Sequence, residues 1–161
     1  MLGIDPGLAS TGYAVLATRG SSLSVTAIGT FRTSPRTDHA ERLHDLASSI
    51  EGLTGDHAIS SAAIESWFVH RVSRSAMGMA EARGAILAAI ARAGVPVTEY
   101  APTAIKSAVT GHGRADKQQV RLMVERLAGA RPGTDHAADA LAAAICHASA
   151  TPLAGAIRDA R

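Results

Sequence analysis

Short apolar runs bounded by turn residues recur along the chain, and five of them predict β-strands. These runs are residues 2–5, 11–17, 23–33, 58–65 and 95–100. The segment Arg19-Gly20-Ser21-Ser22 between the second and third runs is typical of a hairpin turn. The first three strands are therefore expected to pair in an antiparallel arrangement.

Apolar positions with helical spacing, framed by capping and breaking residues, predict five helices. The first is capped by Thr37 or Asp38 and runs through Ile50, and the others cover residues 75–93, 102–111, 115–129 and 134–148. The element order is βββαβαβααα. It predicts an α/β fold with a five-stranded mixed sheet, three antiparallel strands followed by two parallel ones, flanked by helices on both faces.

The length and composition of the chain fit one domain. Its 161 residues, 47% of them hydrophobic, can bury one sizeable core. We expect this domain over residues 1–148 and a weakly structured tail over residues 149–161. No apolar run approaches the roughly 18 residues of a membrane span, and the start lacks the pattern of a secretory signal. Cys146 is the single cysteine, which excludes an internal disulfide and favours the cytoplasm.

Carboxylates end two of the predicted strands. Asp5 follows Leu2-Gly3-Ile4, and Glu65 follows the similar run Ala62-Ala63-Ile64. If the two strands are neighbours and parallel, both carboxylates reach the same edge of the sheet. An acid at the tip of a buried strand is costly unless it is paired or holds a metal ion.

The last predicted helix begins with further acidic and imidazole groups. His136 and Asp139 are three residues apart and share one helix face. Asp135 lies about 100° round the helix from His136, and first-turn acids also serve the helix dipole, so we expect Asp135 to stand outside the site. Asp5, Glu65, His136 and Asp139 suit hard divalent cations. Two such ions about 4 Å apart can act on both sides of a phosphodiester.

Five segments resemble motifs of the RuvC family of Holliday-junction resolvases, in the same order. They are LGIDPGLASTGYAV, AIESWF, ARGAI, VTEYAPTAIKSAVTGHGRADKQQV and DHAADALAAAICH. The resemblance spans nearly the whole chain up to His147. It implies an RNase H-like fold and a homodimer that resolves four-way DNA junctions by paired, metal-dependent hydrolysis in recombination and repair. It also implies a branch-migration motor complex as a partner.

The resemblance also assigns roles to the acidic residues. Asp5 matches the catalytic Asp of the first strand, Glu65 the Glu of the second, and Asp139 the last Asp of the final helix. His136 stands where many relatives have Asp and some have His. Imidazole suits Mn²⁺ better than Mg²⁺, and a His can also help to move a proton near the attacking water. We therefore expect Mg²⁺ or Mn²⁺, with two ions per active site.

A predicted DNA-binding surface surrounds these acids. Phe68 matches a family Phe at the junction centre, where stacking on a base contributes about 1–3 kcal/mol. Lys106 and Lys117, the two lysines of the chain, match family lysines near the cut, and Lys117 can neutralise charge on the scissile phosphate. Three arginines in neighbouring loops complete the surface: Arg71, Arg74 and Arg114. Trp67 is expected to close the core.

Three other classes of protein share parts of this pattern. Actin-like ATPases and sugar kinases also combine an acid with glycines, as in Asp5 and Gly7, but they need a second domain and a second phosphate loop. A non-catalytic RNase H-like DNA-binding module would not need all four metal-facing positions. A nuclease for RNA–DNA hybrids stays open, although the aromatic pair Trp67-Phe68 and the two lysines favour junction DNA.

Overall fold

Among the described residues, five strands form one mixed sheet at the centre of the protein. A computed structural model describes residues 1–19, 22–66 and 73–159. The strands are β1 (Leu2–Asp5), β2 (Ser10–Arg19), β3 (Ser22–Arg32), β4 (Ala62–Glu65) and β5 (Val97–Tyr100). They are ordered β3-β2-β1-β4-β5, with β1, β2 and β3 antiparallel and β4 and β5 parallel to β1. The predicted five-stranded mixed sheet is confirmed.

In the part of the chain that the structure describes, five helices cover the sheet, as the sequence predicts. They are α1 (His39–Asp56), α2 (Arg74–Arg92), α3 (Pro102–Thr110), α4 (Lys117–Ala128) and α5 (Asp135–Asp159). The α1 helix is capped by Asp38, whose side chain accepts a hydrogen bond from Ala40 N, and the α4 helix by a capping box between Asp116 and Gln119.

Several element boundaries differ from the prediction, and two of them matter for the fold. The β4 strand begins at Ala62 rather than at residue 58, because Ala62 pairs with Leu2, the first residue of its short neighbour β1. The α5 helix continues past residue 148 to Asp159, through the part predicted to be a weakly structured tail. Apart from Pro152 and Gly155, this stretch contains residues with moderate to good helix propensity, such as Leu153 and Arg158.

The side chains of the central strands alternate between two cores. Leu2 and Ile4 are buried against α1 and α2 on one face of the sheet. Ala14 and Leu16 are buried on the other face, against α3, α4 and α5. Helices thus lie on both faces, as predicted. In the described part of the chain, no helix is long and apolar enough to cross a membrane.

Glycines in the two central strands let α5 lie directly on the sheet. A Cβ at Gly3 would stand 2.8 Å from Ala144 N and closer still to Ala140 O. A Cβ at Gly12 would stand 2.9 Å from Ala137 N and closer still to His136 O. Because these neighbours are backbone atoms, the close approach of the helix requires glycine at both positions. This approach brings the first turn of α5 to the end of β1.

A buried histidine links the sheet to α5 away from the carboxylates. His147 Nδ1 lies 2.8 Å from the Tyr100 hydroxyl, and its Nε2 lies 2.9 Å from Ser61 Oγ. Burial lowers the pKa of His147, and the positive charge of the N-terminus lowers it further. The folded protein therefore holds this ring neutral more strongly than the unfolded chain does.

We expect this histidine to make the fold less stable in acid. A lowered pKa means that the unfolded chain binds the proton more readily, so stability is lost as the pH falls below the ordinary histidine value of about 6.5. The free energy of unfolding, measured by chemical denaturation at about pH 7 and about pH 5, should fall less between the two pH values for His147→Gln than for the unchanged protein. Equal losses in both proteins would show that other groups set the acid sensitivity.

Candidate active site

The turn after β1 fixes the position of Asp5. The Thr11 side chain is fully buried, and its hydroxyl donates to Gly7 O at 2.8 Å. Gly7 N donates back to the same hydroxyl at 3.3 Å. Gly12 pairs with Asp5 in the β1–β2 ladder, so the backbone on both sides of the acid is held. Asp5 thus stands at the edge of the sheet with its side chain 24% exposed.

Glu65 stands beside Asp5 at the same edge. Ile4 and Ile64 are partners in the parallel β1–β4 ladder, so the next residues of the two strands are adjacent. Burial raises the pKa of Glu65, and the negative charges of Asp5 and Asp139 raise it further. Lys106 acts in the opposite direction on the same carboxyl. The predicted convergence of the strand-end acids is confirmed by this register.

The first turn of α5 brings the imidazole and the third carboxylate. Thr134 caps the helix by accepting from Ala137 N at 3.1 Å, and its hydroxyl lies 2.6 Å from that of Thr30 on β3. His136 Nδ1 lies 2.7 Å from Asp5 Oδ2. Asp139, one turn further, has its pKa raised by burial and then by the charge of Asp5. The helix thereby closes the site over the ends of β1 and β4.

These carboxyls carry an electrostatic cost that a cation would remove. Burial is the largest cause of the raised pKa of Asp5, although His136 opposes it through their hydrogen bond. Folding raises the pKa values of Asp5, Glu65 and Asp139, so these carboxyls lose their protons less readily in the folded protein than in the unfolded chain. The fold therefore loses stability as the pH rises from the pKa of each carboxyl in the unfolded chain to its pKa in the folded protein. Hard oxygen ligands that repel one another fit a divalent metal ion.

The arrangement suits ions that are shared with substrate and water. Among residues 1–19, 22–66 and 73–159, no three His, Cys, Asp or Glu side chains form a ready-made cage for one ion. In the present arrangement Asp5 is engaged by His136, and Asp139 faces Lys117 at 3.8 Å. Mg²⁺ commonly takes only one or two carboxylates and completes its shell with water and phosphate. The donor set therefore fits a metal ion that the carboxylates hold in part and whose shell is completed by water, or by substrate phosphate when DNA is bound.

Lys117 lies at the rim of this cluster and is held by an outer carboxylate. Its Nζ is 3.1 Å from Asp135 Oδ2, and Arg121 reaches the other oxygen of Asp135 at 3.0 Å. The hydrogen bond with Asp135 is the main cause of the raised pKa of Lys117, so the ammonium stays charged at neutral pH. As expected from the helical spacing, Asp135 stands outside the group formed by Asp5, Glu65 and Asp139.

Glu65 separates two clefts at the edge of the sheet. One lies toward α2 and is lined by Asp5, Glu65, Ser66, Met79 and Arg83. The other lies toward α3 and α4, where Lys106, Lys117 and Asp139 surround the carboxylate. A phosphodiester backbone at this edge would meet carboxylates at the centre and lysines on one side.

The other residues predicted to contact DNA are Phe68, Arg71, Arg74 and Arg114. Phe68, Arg71 and also Trp67 lie outside the described residues. Arg74 begins α2, and nothing of its side chain is described. Arg114 is exposed in the loop before α4. At the start of that helix, the backbone N–H of Gln119 already donates a hydrogen bond to the Asp116 side chain. The roles of these residues in DNA binding stay predictions.

Sequence reasoning did not single out Arg83. The Arg83 side chain is 12% exposed, and Nη1 donates to Glu65 O at 2.9 Å. The only signal in the sequence is its place in a segment of small residues, Ala80-Glu81-Ala82-Arg83-Gly84-Ala85, where a lone cation on a helix face otherwise indicates a solvated side chain.

The strand order and the placement of the acids define a class of protein. A mixed sheet with carboxylates at the ends of its two central parallel strands, covered by a helix that adds a third, is the arrangement of an RNase H-like nuclease. The site therefore belongs to enzymes that hydrolyse phosphodiester bonds.

Comparisons with known proteins narrow the class to a family. The family model described as Crossover junction endodeoxyribonuclease RuvC matches residues 1–147. A relative of that name from Parvibaculum lavamentivorans is 48% identical over 148 residues, which cover 91% of this chain and 85% of the relative. The RuvC structure from Thermus thermophilus has a TM-score of 0.87 and 34% identity over 96% of this chain and 97% of that one. T. thermophilus RuvC in complex with Holliday junction substrate has a TM-score of 0.85 and 35% identity over 91% of each chain.

This chain belongs to the RuvC family of crossover junction endodeoxyribonucleases. It is a hydrolase of phosphodiester bonds in DNA. Membership of this family also implies the use of a divalent metal ion.

Proposed function

We propose that the chain resolves four-way DNA junctions and that Asp5, Glu65 and Asp139 hold the metal ions for this reaction. The observation that carries the assignment of the site is the convergence of three carboxyls whose pKa values are raised by burial, two of them, Glu65 and Asp139, also by the charge of Asp5. A buried cluster of like charges is retained in a protein when it serves a cation. The family and the junction-bound relative support the substrate.

We propose that the residues of the site have different roles in hydrolysis. Two Mg²⁺ or Mn²⁺ ions, when bound, would supply a water activated for attack and a counter-charge for the leaving oxygen. Asp5, the last residue of β1, lies in hydrogen-bond contact with the imidazole of His136, and we propose that both residues are ligands. The imidazole is 48% exposed, so it can also exchange a proton with solvent. The charged Lys117 can offset negative charge on the scissile phosphate.

The symmetry of the substrate supports a dimer as the active form. A four-way junction offers two equivalent strands for cutting, and a two-fold dimer supplies two matching sites. We propose that Phe68 stacks on an unpaired base at the junction centre and that Lys106, Arg71, Arg74 and Arg114 contact phosphates. A motor that moves the branch point is the further proposed partner, and the cytoplasm is the proposed location.

We expect His136→Asp to shift the metal preference toward Mg²⁺. A carboxylate is a harder ligand than imidazole, so the ratio of cleavage rates in Mn²⁺ and Mg²⁺ should fall several-fold. His44→Asp makes the same chemical change at an exposed position of α1 and should leave the ratio unchanged. If His136→Asp also leaves it unchanged, the imidazole does not contribute to metal choice.

The proposed function is tested by cleavage of defined substrates. The purified protein is incubated with a synthetic four-way junction, a matched duplex and an RNA–DNA hybrid, in Mg²⁺ or in Mn²⁺. We expect symmetric nicks in opposite strands of the junction and none in the other two substrates. Cleavage of the hybrid with the junction left intact would assign the chain to a different substrate.

A further inference from the structure

Arg83 links α2 to the ends of two parallel strands. It lies in the middle of α2, and its side chain is 12% exposed. Its Nη1 donates to the backbone carbonyl of Glu65, the last residue of β4, at 2.9 Å. Its Nη2 lies 2.8 Å from Glu99 Oε1 on β5, in a contact that is close but poorly directed as a hydrogen bond and so acts as an ion pair. One guanidinium therefore joins three elements.

The end of β4 is held by the sheet on one side only. The β1–β4 ladder ends at the Ile4–Ile64 pair, one residue before Glu65. On the other side, Glu65 pairs with Tyr100 of β5, and Ser66 N donates to Tyr100 O at 2.8 Å. The guanidinium supplies the Glu65 carbonyl with a charge-assisted donor. On the side where β1 no longer pairs, the direction of the strand end, and with it the Glu65 side chain, depends on this bond.

A buried guanidinium is costly to keep, which argues for a specific use. Its ion-pair partner Glu99 is 52% exposed, so the pair is only partly desolvated. A lysine would carry the same charge, but its single ammonium lacks the planar fork that reaches two acceptors on different strands. Arg83 also lines the cleft that holds Asp5 and Glu65. It therefore lies next to the carboxylates proposed to bind metal and contacts the backbone of one of them, Glu65.

We propose that Arg83 is a positioning residue that fixes the end of β4 and thereby sets the Glu65 carboxylate against Asp5 and Asp139. This inference rests on the proposed role of Glu65 as a metal ligand. Residues that orient metal ligands from outside typically change metal affinity about 10–100-fold when replaced. Arg83 is expected to act on metal affinity more than on DNA binding, because its guanidinium is largely buried and is engaged by the Glu65 carbonyl and Glu99.

The test is Mn²⁺ binding to the DNA-free protein, followed by the electron paramagnetic resonance signal of free Mn²⁺. Arg83→Lys keeps the charge but loses the fork, and Arg83→Gln loses both. We expect each to weaken Mn²⁺ affinity about 10-fold. The matched control is Glu99→Gln, which keeps an acceptor for Nη2 at a half-exposed position and should bind Mn²⁺ as the unchanged protein does. Thermal unfolding of each variant shows that it is folded at the temperature of the measurement.

Two comparisons decide the outcome. If Arg83→Lys binds Mn²⁺ with unchanged affinity, the fork does not position Glu65 and the inference is overturned, whatever the unfolding temperature. This variant keeps the test decisive if Arg83→Gln does not fold. Glu65→Gln separates the two proposals. Unchanged Mn²⁺ affinity in Glu65→Gln would remove the proposed role of Glu65 itself, whereas a loss there with no loss in Arg83→Lys would remove only the role of Arg83.

Discussion

Asp5→Asn is expected to lose junction cleavage by about 10³-fold or more while keeping the fold and the binding of junction DNA. The amide is nearly the same size as the carboxylate, and its oxygen can still accept from His136 Nδ1. It cannot serve as a charged ligand, however. A loss of this size corresponds to about 4 kcal/mol of transition-state stabilisation, which is the scale of metal-ion catalysis.

The fold of this variant should be at least as stable as that of the unchanged protein. The charge of Asp5 raises the pKa values of both Glu65 and Asp139. Removing it relieves repulsion among buried groups, so the unfolding temperature at neutral pH should not fall. Rates come from single-turnover cleavage of a synthetic junction, and binding comes from gel shift without divalent metal.

Asp135→Asn is the matched control for this prediction. It makes the same change one turn from Asp139, at an exposed carboxylate that contacts Lys117 and Arg121 rather than Asp5 or Glu65. Cleavage should fall by no more than a few-fold. Equal losses in Asp5→Asn and Asp135→Asn would mean that the reaction responds to the total charge of the cluster and not to a ligand at the end of β1.

Gly12→Ala is expected to damage both stability and activity. The added methyl would overlap the backbone of α5 at His136 and Ala137, and backbone atoms cannot rotate away. Overpacking of this kind costs about 3 kcal/mol at the upper end of its usual range. The helix must move off the sheet, and a displacement of about 1 Å at His136 and Asp139 is enough to lower cleavage about 10²-fold.

Gly52→Ala separates this effect from the general effect of glycine replacement. Gly52 lies within α1, and a Cβ there would meet nothing within 4 Å. Alanine is the better helix former, so this variant should be about 0.5–1 kcal/mol more stable and fully active. Urea denaturation and junction cleavage measure both properties. A Gly12→Ala protein with unchanged stability would contradict the close packing of α5 on β2.

The elements and the central acids were predictable because their signals are local. Leu2-Gly3-Ile4-Asp5 and Ala62-Ala63-Ile64-Glu65 share a pattern of small or apolar residues before an acid, and the turn residues on either side define short strands. The spacing of His136 and Asp139 places them on one face of any helix. Parallel pairing of the two strands then brings Asp5 and Glu65 together, and the packing of α5 on the sheet adds Asp139.

The supports of the site were not predictable because they depend on tertiary packing. A glycine in a strand signals a close approach, but Gly12 does not reveal that the neighbour is the carbonyl of His136. Arg83 meets a carbonyl 18 residues earlier in the chain through the packing of α2 on the sheet. The partner of Lys117 is likewise fixed by the docking of α4 beside α5. Only the assembled fold shows that Asp135 is the carboxylate that pairs with Lys117.

Cutting of a supercoiled plasmid that extrudes a cruciform tests the central claim most directly. Paired incisions across one four-way junction convert the plasmid to the linear form, whereas a single incision leaves a nicked circle. We expect the unchanged protein to produce linear plasmid in Mg²⁺ or Mn²⁺, and Asp5→Asn to produce neither product. Nicked circles alone from the unchanged protein, or linear plasmid from Asp5→Asn, would contradict the account.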